Sequence, residues 1–278
     1  MKNPLLLLST TALIYGFCLS PLWAQFDDGV AALQREDYAK ALEIWQRGAA
    51  DGDPKSQYSL GYLYQFGLGT GADFGKAKEW YEKSAASNNP DALYALGIMY
   101  ESGKAGRKDL AEAMRLYRQA AQAGSQPDAE YAIGRMILRG RGVARDPVEG
   151  VKWLTTAARH NQPAAQYMLG AAFEAGWGMP PNDREAYYWY RRSQNGDAVE
   201  LQENDMAFQP QIAIAALKRR LPAEAIDAIE GRLRSEKSTP VKAAAPAATA
   251  KAATPSVKSD LLREPGEEGA PPALTRPQ

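Results

Sequence analysis

The residue types that most often carry out nucleophilic, metal or proton-transfer chemistry are almost missing from this chain. There is one histidine, His160, and one cysteine, Cys18. His160 stands beside Asn161 at the end of a helical pattern, where the helix dipole mildly favours a positive imidazole. It has no in-register partner for proton transfer, and no zinc spacing, P-loop or dinucleotide fingerprint occurs. Glu79 and Lys83 have the spacing of a helix-surface pair. The expectation is therefore no catalytic residue, no metal and no cofactor, hence no enzyme. Charges balance at 33 basic and 33 acidic residues, which offers no global field for nucleic acid.

The N-terminal segment is set apart from the fold. Lys2 is a short positive region, residues 5–19 are mostly apolar, Pro21 breaks the pattern and Ala24 precedes Gln25. This predicts a secretory signal peptide over 1–24, cut after Ala24, with a periplasmic or secreted mature chain and no membrane insertion. The alternative is an uncleaved helix that anchors the chain in the inner membrane. Phe17 before Cys18 argues against a lipid-modified cysteine, and cleavage would remove the only thiol.

Organisation comes from a repeat. Gly61, Gly97, Gly134 and Gly170 recur in register with Pro54, Pro90, Pro127 and Pro163, and with Ala41, Ala77, Ala113, Gly150 and Ala186. Each period reads as two helices. Proline opens the first, where its missing N–H costs nothing, and a glycine-rich turn such as Gly67-Leu68-Gly69 ends it. Asp37, Asp73, Asp109, Asp146 and Asn182 stand as N-caps of the second helices. A mid-helix glycine costs roughly 1 kcal/mol against alanine, so its recurrence predicts close approach of a neighbouring helix. Ala77, Trp80, Tyr81, Ser84 and Ala85 form one stripe in which large and small residues alternate.

These residues resemble the Sel-one-like repeat, a relative of the tetratricopeptide repeat. The resemblance rests on Gln57, Leu60, Gly61, Tyr64, Gly67 and Gly69, then Asp73, Lys76, Ala77, Trp80, Tyr81, Lys83 and Ala85, and it covers about residues 26–197. It implies an all-α fold, a right-handed α-solenoid of antiparallel helix pairs, in a bacterial exported protein that contacts other proteins. Four repeats are expected over 53–197 (53–89, 90–126, 127–162 and 163–197). A capping hairpin precedes them at 25–52, because Gln34-Arg35-Glu36 replaces the glycine turn. Ala105 and Ile137 depart from the pattern in the second and third units. Capping helices are expected over 198–234, with Ile212, Ala216 and Leu217 covering the last repeat. Residues 235–278 hold 10 alanines, 7 prolines and no aromatic residue, the composition of a disordered tail.

In related solenoids the first helices line a concave groove. Tyr62, Phe66, Ile98, Arg135 and Arg139 fall on the side turned away from Leu60 and Tyr64, with residues 55 and 59. Aromatic residues followed by arginines suit an extended protein or peptide partner with apolar and acidic side chains. A solvated face is the plainer account. Trp177, inside the turn Gly176-Trp177-Gly178, is either a loop contact or a residue folded back onto the end of the stack. Tyr58, Tyr94, Tyr131 and Tyr167 read as packing between repeats. The functional expectation is a non-enzymatic interaction scaffold or regulator in the envelope. The alternative, carried by the resemblance alone, is a protein that binds or hydrolyses cell-wall or β-lactam-like substrates.

Overall fold

A computed structural model describes residues 22–104, 106–194 and 209–238, and these contain twelve helices and no strand. The helices pair in chain order. They are α1 (Leu22–Gln34) with α2 (Tyr38–Ala50), α3 (Pro54–Phe66) with α4 (Phe74–Ala86), and α5 (Pro90–Ser102) with α6 (Leu110–Ala123). Then come α7 (Pro127–Arg139) with α8 (Pro147–Arg159), and α9 (Pro163–Ala175) with α10 (Asp183–Ser193). Two last helices, α11 (Pro210–Arg220) and α12 (Ala223–Ser238), pack on α10. Each helix packs chiefly on its neighbours in sequence, so the chain forms an α-solenoid.

The boundaries follow from backbone chemistry. Asp73, Asp109, Asp146 and Asn182 each accept a hydrogen bond from a free N–H of the helix they open. Asp53, Asn89, Gln126 and Gln162 do the same for the first helices, each followed by proline at the first helical position. Gly67, Gly103, Gly140 and Gly176 end those helices in the left-handed region. The N–H of each second-helix cap then returns to the first helix: Asp73 to the Tyr64 carbonyl at 2.8 Å, Asp146 to that of Ile137 at 3.3 Å. Because this bond uses the backbone, isoleucine at 137 changes nothing in the turn.

The recurring mid-helix glycines have the close neighbour that the spacing predicts. A Cβ on Gly61 would lie 2.5 Å from the Tyr81 ring, one on Gly97 2.4 Å from Tyr117, and one on Gly170 2.8 Å from Tyr190. The α1–α2 hairpin repeats the arrangement on a shorter turn, with Trp45 seated on Gly29 and its indole N–H donating to the Phe26 carbonyl at 3.3 Å. Within the packing, then, the expected cap has the interior of a repeat.

Two expectations about the ends change. Helix α12 runs to Ser238, beyond the expected boundary at 234. Pro210, Ile214 and Leu217 form the covering face of α11, whereas Ile212 is 65% exposed and Ala216 is exposed. The i,i+3/i+4 spacing of 210, 214 and 217 selects the buried side. Residues 1–21, 195–208 and 239–278, which hold most of the expected signal peptide and tail, and Ala105 lie outside the described residues.

The second glycine of a turn abuts the preceding repeat. Gly178 has φ +65°, and a Cβ there would meet the Pro147 backbone at 2.8 Å. Gly178→Ala should therefore destabilise the chain by about 1–3 kcal/mol. Gly71→Ala, with nothing within 4 Å of the new methyl, should stay within about 0.5 kcal/mol of the parent. Urea unfolding of both variants measures the difference.

Candidate functional site

The row of first helices α3, α5, α7 and α9 is the expected binding wall, and most of it is interior. Each is flanked by its own second helix and by the second helix of the preceding pair. Ser59 is fully buried, and so is Ile98, which therefore offers no surface to a partner. Tyr62 and Phe66 are half-exposed on α3, their ring centroids 4.6 Å apart. Arg139 is half-exposed at the end of α7.

Arg135 is withdrawn from the wall by an ion pair. Its Nη2 lies 2.6 Å from Oε1 of Glu101 on the preceding repeat, with the carboxylate side chain only 3% exposed. Tyr117 donates to the other carboxylate oxygen at 2.8 Å, and Arg141 Nη1 stands 3.7 Å from Oε1. Burial disfavours charge on Arg135, but the Glu101 carboxylate and the surrounding Tyr131, Tyr117 and Tyr94 together more than offset this and raise its pKa.

The origin of this cluster is visible when the units are compared. The ring seated on each glycine carries a hydroxyl that needs an acceptor, and the residue four positions after the glycine supplies it. Tyr81 donates to Gln65 at 3.0 Å, Tyr117 to Glu101, and Tyr190 to Glu174 at 3.1 Å. In the third unit leucine replaces the ring, and Leu154 and Leu138 are both buried. A carboxylate at this position then needs a cation from the next element. Arg135 answers Glu101, and Arg220 of α11 answers Glu174 at 2.7 Å. The change from Tyr62 to Ile98, Arg135 and Ala171 along the row thus follows the needs of the preceding repeat, at least at Arg135.

Other expected residues are placed as follows. His160 is an exposed helix-end residue as expected, but it has a partner: its Nδ1 lies 2.8 Å from Oε2 of buried Glu130. Trp177 is half-buried and packs onto the core around Leu154 and Leu169, so it folds back, with its indole N–H enclosed. Tyr58, Tyr94 and Tyr167 pair with Tyr81, Tyr117 and Tyr190 inside their own repeats, at centroid distances of 5.6, 5.6 and 5.1 Å. Lys83 lies 3.8 Å over the Trp80 ring, while Lys78 approaches Glu82 at 3.6 Å. Sequence reading missed the link between repeats made by N-cap glutamines: Gln126 donates to Asp91 at 2.8 Å and Gln162 to Asp128 at 3.3 Å. Among the described residues no cluster of three metal-ligating side chains occurs, and no helix is long and apolar enough to cross a membrane.

The chain belongs to the Sel1 repeat family. The family model matches residues 26–53, 54–89, 90–125, 127–162 and 163–193, so the α1–α2 hairpin counts as a fifth repeat. Among solved structures, a Sel1 repeat protein from Oxalobacter formigenes is 26% identical with a TM-score of 0.63, over 78% of this chain and 88% of that one. The immunity protein Pa5087 from Pseudomonas aeruginosa shares the fold at 22% identity and a TM-score of 0.50, over 69% of this chain and 74% of that one. None of the curated proteins compared with the chain matches it. Sel1 repeats are in general protein-interaction scaffolds without catalytic activity of their own.

Two predictions come from the ion pairs. Arg135→Ala should cost roughly 3 kcal/mol, because buried Glu101 keeps only the Tyr117 hydroxyl and the more distant Arg141 as partners. The triple change Glu101→Leu, Tyr117→Leu and Arg135→Ala, which copies the third unit, should recover most of that loss in urea unfolding.

The second concerns the cap. Helix α12 is held to α10 by Arg191 on Glu230 at 2.6 Å and Arg192 on Glu236 at 3.3 Å, with the Tyr187 hydroxyl also donating to Glu230. The hydrogen bond from Arg191 holds the Glu230 carboxyl below its ordinary value of 4.5. A lowered carboxyl pKa stabilises the folded form above pH 4.5, and that contribution is lost as pH falls through the folded value. Amide protection of α12 should therefore drop on acidification below pH 4.5 before that of α5 and α6 does.

Proposed function

We propose that the chain is a non-enzymatic interaction scaffold of the bacterial cell envelope that holds an extended partner segment along the row of first helices. The observation that carries this is the half-exposed pair Tyr62 and Phe66 on α3, their ring centroids 4.6 Å apart, where the next repeat places buried Ile98 at the position of Tyr62. Aromatic residues supply large contact area with few rotors to immobilise. Farther along, Arg139 and Arg141 bring two more arginines to the end of α7, beside the Arg135–Glu101 pair. The partner segment is one with apolar side chains at one end and carboxylates at the other.

The envelope location rests on the N-terminal pattern. Lys2, the apolar run over 5–19, Pro21 and Ala24 have the order a signal peptidase reads. Helix α1 begins at Leu22, so a cut after Ala24 leaves the buried side of α1, from Phe26 onward, in the mature chain.

Peptide binding followed by fluorescence anisotropy tests the first reading. A peptide with leucines followed by glutamates should bind, and Phe66→Ala with Arg139→Glu should weaken it about tenfold or more, the loss of one aromatic anchor and one charge pair. Equal binding of a lysine counterpart, or no effect of the two changes, would contradict it. N-terminal sequencing of the protein from a bacterial periplasm tests the second: the mature chain should begin at Gln25, and a chain still beginning at Met1 would contradict cleavage.

A further inference from the structure

The charged and apolar residues of the C-terminal segment are not spread evenly. Between 239 and 278, every side-chain carboxylate falls within Asp260-Leu261-Leu262-Arg263-Glu264-Pro265-Gly266-Glu267-Glu268, and so do two of the three leucines. Residues 239–257 hold no acidic side chain at all. An apolar pair followed by carboxylates is the chemistry that the row of first helices fits, with Tyr62 and Phe66 on α3 and Arg139 and Arg141 at the end of α7.

We propose that residues 260–268 of the chain bind to its own row of first helices, as an internal occupant that an external partner must displace. The proposal rests on the groove reading given above and deepens it by naming a competitor.

Spacing supports it. Arg135 on α7 reaches Glu101 on α5, which puts successive first helices about 10 Å apart and α3 and α7 about 20 Å apart. The seven residues from Leu262 to Glu268 span about 20 Å when extended. With the leucines on Tyr62 and Phe66, the last two glutamates therefore reach the arginines at the end of α7.

Reach is also sufficient. Helix α12 ends at Ser238 beside α10, and Leu261 comes 23 residues later. Three repeat steps separate α9 from α3, about 30 Å, while 23 residues reach about 75 Å when extended. Left as a random coil, that connection has a root-mean-square span of about 26 Å. Closing it intramolecularly thus needs little stretching, and its effective concentration is high.

Charge gives the sign. The nine-residue segment carries four carboxylates against one arginine, and the end of α7 opposite it carries Arg139 and Arg141 beside the Arg135–Glu101 pair. Proline at 265 and glycine at 266 have low helix propensity, a sequence preference that suits an extended occupant.

The test uses the full chain with photo-reactive benzoylphenylalanine in place of Phe66, and the same residue in place of exposed Ile212 as control. Illumination followed by peptide mapping should give an internal crosslink from position 66 into 258–268, with a yield that does not change on dilution. Leu261→Asp with Leu262→Asp should lower that yield about tenfold. The inference is overturned if position 66 crosslinks to 239–278 no more than position 212 does, or if the yield falls on dilution, which would assign the segment to a second copy. Should the crosslink be absent while leucine–glutamate peptides still bind at Phe66, the groove reading stands and the internal occupant alone falls.

Discussion

Four of the five helix pairs from α1 to α10 close on an aromatic ring seated on a glycine. Tyr117 lies so close to Gly97 that one methyl group would collide with it, and the same contact closes the repeats built on Gly61 and Gly170. Close approach lets the two helices of a pair bury their facing sides, but it also carries a phenol into the interior. Burial pushes the Tyr81 and Tyr117 hydroxyls far above their ordinary pKa, so they remain neutral donors that need acceptors. Gln65 and Glu101 fill that need within the repeat. The carboxylate at 101 then brings a charge inside, and the next repeat must answer it.

The answer links neighbours in a fixed order. Arg135 meets Glu101 across the junction between repeats, and Arg220 meets Glu174 at the end of the stack. Helix α11 therefore supplies to the last repeat the cation that a following repeat supplies elsewhere. This explains how the terminal helices cover the end of the solenoid with so many ion pairs, including Arg191 with Glu230 and Arg192 with Glu236. Where the ring is absent, as at Leu154, the acid at the preceding position is absent too, and Leu138 stands there. The polar interior is thus a consequence of the tyrosine, while Tyr62, Phe66 and Arg139 stay half-exposed.

What the sequence revealed and what it hid divide along one line. Backbone requirements were legible because they select residue types locally: proline at 54, 90, 127 and 163, left-handed glycine at 67, 103, 140 and 176, and capping Asp or Asn side chains from Asp37 to Asn182. Side-chain partners were not, because they lie about one repeat away. Glu101 and Arg135 are 34 residues apart, and Glu130 and His160 are 30 apart. Arg135 and Ile98 were assigned to the binding wall from helical spacing, which cannot tell a solvent face from one covered by the adjoining pair. Comparing the columns after each glycine would have found the tyrosine–acid match, and with it the ion pair.

A double-mutant cycle on Gly97→Ala and Tyr117→Leu, followed by urea unfolding, tests the ring-on-glycine contact most directly. In the parent, Gly97→Ala should destabilise by about 1–3 kcal/mol through overpacking, despite the better helix propensity of alanine. With leucine at 117 the same change should cost at least about 1 kcal/mol less, a coupling expected only of residues in contact. Additive effects, within about 0.5 kcal/mol, would contradict the account.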